Sequence, residues 1–375
     1  MSEHHPTRLL LAIVREDWNE AERLVAIAAP DPESFAKACV GADIHPWVHS
    51  LVIRNRRESL LGEAVIERLG RMRDKLRQDN LLLFARAERA LDALAAAGVT
   101  PVALKGLDLI HRLYERFDER TMDDIDLLVR QSELVPALDA LRKAGWVTPE
   151  ESRTTHYIRS SHHLPLSEPG PLGVELELHW NLAQEDRYRI DPAGLFDRAA
   201  TVDVGGRATR RLCDADLVGH LLVHHLSHYF DRRLKWVVDL QRITSQDGFD
   251  WEAVVARVRE WGAGVASGIS LIHMDKLMPG LIPGRVLRSL PVSTWRRALA
   301  APLRSAHPLE LYRGTRRRSV QLYLAALLLE RPTMLPRWLV HRQTRDRRRG
   351  ANPLDRRPET TSIPDSEANA RKETS

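Results

Sequence analysis

At 375 residues the chain is long enough for two or three domains, and 43% hydrophobic with 29% charged residues excludes a wholly disordered polymer. Its two cysteines, Cys39 and Cys213, exclude a disulfide framework and a cysteine-based zinc module, and fit a reducing, cytoplasmic setting. The net charge of +5 is unevenly spread: residues 276–375 carry 21 Lys+Arg against 8 Asp+Glu, so the remainder of the chain is net acidic. That basic stretch has few aromatics to stack bases and reads as a solvated, Arg-rich segment, with weak nucleic-acid contact as the alternative. The opening MSEHHPTRLL lacks the basic and apolar regions of a signal peptide. No membrane span is expected, since the apolar run Val320 to Leu329 is too short and contains Gln321.

In chain order, residues 1–97 read as a helical region. From Leu60 to Ala97 apolar residues recur in steps of three and four, at Leu69, Met72, Leu76, Leu83, Ala87, Leu91 and Leu94, which marks one buried stripe. Gly98 is placed to end that helix. Residues 98–211 change texture and read as a small α/β core. Val99 to Leu104 is a short apolar run that fits a buried strand, Gly106 ends it, and Leu107 to Glu115 returns to helical spacing. Asp124 to Val129 (DIDLLV) reads as a central strand, followed by a helix from Glu133 to Ala144 with Ser132 as its cap. His163 to Leu166 and Val174 to Trp180 flank the turn PGPLG and read as a hairpin, and TVDVGGRATRRL reads as another. Residues 212–341 read as a second helical region, and 342–375 as a polar, basic, disordered tail. The fold expected is α+β, a small sheet core flanked by N- and C-terminal helical regions.

The chemistry concentrates in Asp124-Ile125-Asp126. Side chains alternate along a strand, so both carboxylates share a face, roughly 6–7 Å apart, while Ile125, Leu127 and Val129 turn to the core. Paired carboxylates on a rigid strand suit hard divalent cations, although many strands end in an acidic pair without one. Upstream, Lys105-Gly106 stands at a strand-to-helix junction, where Gly permits close backbone approach to a phosphate and free helix N–H groups face an anion. Lys105 is one of only seven lysines against 49 arginines. Downstream, Glu175, Glu177 and His179 share one strand face, which brings a third carboxylate within reach; the plainer reading is an edge strand with a polar face. Asp123 faces away as a surface carboxylate. His220, His224 and His228 share a helix face, but with Leu221-Leu222-Val223 between the first pair there is no HExxH, and core histidines are the plainer reading. His162-His163 reads as loop, and Trp180, Trp236 and Trp251 as core.

The stretch ALKGLDLIHRLYERFDERTMDDIDLLV followed by VELELHW resembles the poorly characterised bacterial nucleotidyltransferase family of the DNA polymerase β-like superfamily. Leu104-Lys105-Gly106, Tyr114, Arg120, Met122, Asp124, Asp126 and Glu177-Leu178-His179-Trp180 carry it in order, and Leu234-Lys235-Trp236…Asp239 extends it more loosely. The resemblance implies that Asp124, Asp126 and Glu177 bind two Mg²⁺ ions and that Glu177 doubles as the base. It further implies that Lys105, Gly106 and Arg120 hold the phosphates of an NTP such as ATP, and it places Lys235 and Asp239 on the cleft wall. The bland alternative for that last pair is a surface ion pair at i,i+4. The turn Lys105-Gly106-Leu107 departs from the superfamily's usual Gly-Ser or Gly-Gly. The implied reaction is Mg²⁺-dependent transfer of a nucleoside monophosphate to an acceptor hydroxyl, with release of pyrophosphate. A peptide, a sugar or RNA remains open as the acceptor. The alternatives are a non-catalytic regulatory or binding protein of the same fold, and a nucleic-acid-binding protein acting through the basic C-terminal part.

Overall fold

The computed structural model describes residues 5–184, 187–227 and 233–299. Helices α1 (His5–Val14), α2 (Trp18–Ile27), α3 (Pro32–Gly41), α4 (His45–Arg54) and α5 (Glu58–Leu61) lead into α6 (Glu63–Ala96). Asp17 and Asp31 cap α2 and α3 through their side chains. At 34 residues, α6 spans roughly 51 Å. Its apolar stripe runs as expected, and Gly98, at φ 74°, takes the left-handed conformation that ends it.

The sheet follows, threaded by helices: β1 (Val102–Ala103), α7 (Lys105–Leu113), β2 (Ile125–Leu128), α8 (Leu134–Lys143), α9 (Glu151–Ser160), β3 (His163–Ser167), β4 (Glu175–His179), α10 (Pro192–Arg198), β5 (Ala200–Val204) and β6 (Arg207–Arg211). The six strands are ordered β3-β4-β2-β1-β6-β5. The two hairpins, β3/β4 and β5/β6, are antiparallel, β2/β4 and β1/β6 are parallel, and β1/β2 is antiparallel. The expected strand Val99 to Leu104 is shorter than read, because Pro101 lacks the N–H needed to pair throughout. Asp124 lies immediately before β2 rather than within it. Ser132 falls in a 3-10 turn, and the Glu133 carboxylate, accepting from the Arg130 N–H at 3.1 Å, secures that turn instead.

Helices α11 (Asp214–Ser227), α12 (Lys235–Thr244), α13 (Trp251–Glu260), α14 (Gly264–Leu277), α15 (Gly284–Ser289) and α16 (Thr294–Leu299) complete the described chain. His228 and the segment from 300 onward, with its basic tail, lie outside the described residues. Among the described residues, no helix is long and apolar enough to cross a membrane.

Alternation along the strands divides the apolar residues between two cores. Ile125 and Leu127 of β2, Leu176 and Leu178 of β4, and Leu164 and Leu166 of β3 pack with Leu83, Ala87, Leu91 and Leu94 of α6 and with Leu138 and Leu141 of α8. Val102, Leu104 and Leu128 join the larger core built by α1 to α4 and α11 to α15. Leu69, nearer the start of α6, belongs to this larger core, so one helix anchors both. Burial of each such Leu or Ile contributes about 1.5–3 kcal/mol. The second sheet face, turned to the larger core, carries the polar cluster.

Candidate functional site

Asp126 and Glu177 are register partners in the parallel pair β2/β4, and His163 is the register partner of His179 in β3/β4. Pleating turns all four to the same face. Lys105, the first residue of α7, reaches the cluster from the other side: its Nζ donates to Asp126 Oδ1 at 2.6 Å and lies 3.5 Å from Glu177 Oε2. The Lys105 backbone has φ 43°, a conformation side chains other than Gly and Asn seldom adopt. His179 Nε2 lies 2.9 Å from the same Asp126 oxygen and 3.3 Å from Glu177 Oε2. The second Asp126 oxygen, Oδ2, is buried and has no hydrogen-bond partner among the described residues.

The charges are tightly interlocked. Burial and the neighbouring Asp126 carboxylate lift the Asp124 carboxyl to about 7. For Asp126, burial opposes ionisation, but the Lys105 ammonium and the His179 hydrogen bond outweigh it and hold the carboxyl below its ordinary range. Glu177, likewise opposed by burial, is held well below by His179, His163 and Lys105. Burial resists charge on Lys105 and on His179, yet the facing carboxylates raise both. His163 is lowered to about 4, chiefly by burial. His220 of α11 is lowered to about 3 by burial and by the positive Lys105 and His179, which puts this helix beside the site.

Gly106 is tightly packed, though not by a phosphate pocket. A Cβ there would meet Met122 Cγ at 2.5 Å, so the missing side chain makes room for Met122. Arg120, expected to hold phosphate, is buried and fully engaged elsewhere. Its Nε and one terminal nitrogen fork onto Asp239 at 2.8 and 2.9 Å, and the other donates to the Thr121 carbonyl at 2.9 Å. Tyr114 Oη also donates to Asp239, at 2.7 Å. Lys235 and Asp239 therefore neither pair with each other nor line an open cleft. Lys235 is buried too, its Nζ 2.5 Å from Asp43 Oδ2, 3.1 Å from Thr121 Oγ1 and 3.3 Å from Asp123 Oδ2. The physical reason is burial: a guanidinium and a carboxylate placed inside a helix-to-loop contact must find each other.

These contacts have a shared effect. Residues 114–124, the loop entering β2, are clamped by α12 on one side. On the other, buried Asn80 of α6 donates to the Phe117 carbonyl at 2.6 Å and to the Arg120 carbonyl at 2.9 Å. Arg120, Lys235, Asp239 and Asn80 thus position the acidic strand. Asn80 escaped sequence reasoning; a polar residue interrupting the α6 stripe was the one visible signal. His162 and His163, expected as loop, stand beside His179, with ring centroids 5.8 and 5.0 Å from it. His220 and His225 are core histidines, as expected of that helix, and Trp180, Trp236 and Trp251 are buried.

Residues 28–279 match the family described as uncharacterised nucleotidyltransferase. The chain belongs to this family. This nucleotidyltransferase-family chain is also 44% identical over 75 residues to tRNA(Ile)-lysidine synthase of Mycolicibacterium paratuberculosis (strain ATCC BAA-968 / K-10). The match covers 20% of the chain and 21% of that relative, so only about a fifth of the relative's length is spanned. Among solved structures it is similar to an antigenic nucleotidyltransferase-like protein from Paracoccidioides brasiliensis, at 11% identity over 58% of this chain and 95% of that one, with a TM-score of 0.28.

Proposed function

We propose that the chain transfers a nucleoside monophosphate from an NTP to an acceptor hydroxyl, in a Mg²⁺-dependent reaction at Asp124, Asp126 and Glu177. The observation that carries this reading is the in-register pair Asp126 and Glu177, with Asp124 two residues before the first and Lys105 over both. The donor set fits the ion. It consists of carboxylate oxygens, which hard cations prefer, and it includes a buried oxygen, Asp126 Oδ2, that lacks a partner among the described residues. Bound by these carboxylates, Mg²⁺ would supply Lewis-acid activation of the hydroxyl and neutralise triphosphate charge.

The chain's own groups do the rest. Asp124 and Asp126 are held in place by the clamped loop and by β2. His179, through its contact with Asp126 Oδ1, fixes that carboxylate's orientation. Lys105 supplies a cation that favours phosphate beside the carboxylates. Glu177 retains 24% exposure of its side chain, so it is accessible to take the acceptor's proton as the hydroxyl oxygen bonds to the α-phosphorus and pyrophosphate leaves. Both cysteines are free, which supports a cytoplasmic setting.

Incubation of the full chain with each α-labelled NTP, Mg²⁺ and a panel of peptide, sugar and RNA acceptors tests the proposal. The relative's name puts tRNA on that panel. Label transfer that is lost in Asp124→Asn supports it. A second reading, a non-catalytic nucleotide-binding protein, is favoured by one observation: Lys105 already neutralises Asp126 at 2.6 Å, where a cation's charge would act. NTP binding without label transfer to any acceptor distinguishes that reading.

A further inference from the structure

We infer that His162, His163 and His179 form a second site, adjoining the carboxylates, for a divalent transition ion of the zinc type, at the β3 edge of the sheet. One ring nitrogen from each histidine lies within 4.8 Å of the others. His163 Nδ1 and His162 Nε2 are 3.3 Å apart. Two nitrogens bound tetrahedrally to one zinc ion at 2.0–2.1 Å stand about 3.3–3.4 Å apart, so this pair is already at ligand spacing.

Two carboxylates orient the rings. Asp126 Oδ1 meets His179 Nε2 at 2.9 Å, and Glu177 Oε1 faces His163 Nε2 at 3.6 Å. The Asp126 contact engages His179 Nε2, while His163 turns its Nδ1 toward His162 Nε2. Such contacts are how carboxylates commonly fix metal-bound histidines. His179 Nδ1 is buried with no hydrogen-bond partner among the described residues, so it is a nitrogen that a bound ion would satisfy. Three imidazoles make a set that selects transition ions over Mg²⁺. The hairpin creates the site: β3/β4 register sets His163 opposite His179, and His162 immediately precedes β3. Asp126 and Glu177 are shared with the acidic site only as neighbours of the rings, and neither they nor Asp124 nor Lys105 serves as a ligand here, so this inference stands whether or not nucleotidyl transfer occurs.

The test uses the full chain, stripped with a chelator and titrated with Co²⁺, whose visible absorption reports tetrahedral coordination. One equivalent is expected to bind, to be displaced by Zn²⁺, and to persist in a large excess of Mg²⁺. His162→Ala and His163→Ala are expected to weaken binding by about tenfold or more, with the fold verified by circular dichroism. Asp124→Asn is expected to bind Co²⁺ as the parent does, while Mg–NTP binding in the same variant reads the nucleotidyltransferase proposal separately. Absence of a tetrahedral Co²⁺ spectrum, unchanged affinity in both histidine variants, or displacement by Mg²⁺ overturns the inference.

Discussion

Arg120 and Asp239, 119 residues apart in sequence, are joined by two parallel hydrogen bonds of 2.8 and 2.9 Å inside the protein. The fork ties α12 to the loop that delivers Asp124 and Asp126. It explains how a short strand in a small sheet can hold its acidic residues in a fixed position: the loop before it is closed from α6 and α12 together.

Removing one partner leaves the other charge buried. Asp239→Ala is expected to destabilise the protein by about 3–5 kcal/mol, and Arg120→Met combined with Asp239→Leu to recover much of that loss. Urea unfolding of the single and double variants checks it. A loss below about 1 kcal/mol in Asp239→Ala contradicts a buried pair and matches a surface one.

Gly106 is expected to resist substitution because of Met122. Gly106→Ala should cost about 1–3 kcal/mol through overpacking, since Met122 Cγ lies 2.5 Å and Cβ 3.1 Å from the added carbon. In a double-mutant cycle with Met122→Ala, the combined loss should be smaller than the two single losses added. Strict additivity would place the strain elsewhere.

Two histidines away from the acidic site, half-buried His45 and buried His273, set a pH dependence of stability. His45 is lowered to about 4 by burial, against which Asp43 pulls upward and Lys235 downward. His273 is lowered to about 4 by burial and by Lys276. Both are therefore neutral in the folded state and take up protons more readily when unfolded. Their contribution is fully present above the unfolded value of about 6.5, and is lost progressively as pH falls toward about 4. Urea midpoints measured across that window should decline, and decline less steeply in His45→Gln and His273→Gln. Equal slopes in parent and variants would contradict this assignment.

The legible parts of the site share one property, local periodicity. In DIDLLV the alternation turns Ile125 and Leu127 to one core and Asp126 to the other face, and β2 obeys it. The same alternation in VELELHW puts Glu177 and His179 together. What the sequence hides are partners separated by long stretches of chain. Nothing near Arg120 announces Asp239, and nothing near Asn80 announces the carbonyls of Phe117 and Arg120. Lys235 and Asp239 show i,i+4 spacing that suits a mutual pair, yet tertiary burial offered each a better partner. His162 and His163 look like loop because their value depends on hairpin register, which the turn sets. Alternation located β2 and β4 in the chain, but spacing alone could not separate residues that join the carboxylate cluster from residues that hold the loop.

Calorimetric titration of Mg–NTP into the parent chain, Asp124→Asn, Asp126→Asn and Glu177→Gln reads whether the three carboxylates hold the metal. Measurable binding is expected in the parent and its loss in all three variants, with circular dichroism unchanged. Unchanged Mg–NTP affinity in Asp124→Asn and Asp126→Asn would contradict it, because the carboxylates would then have no part in holding the metal.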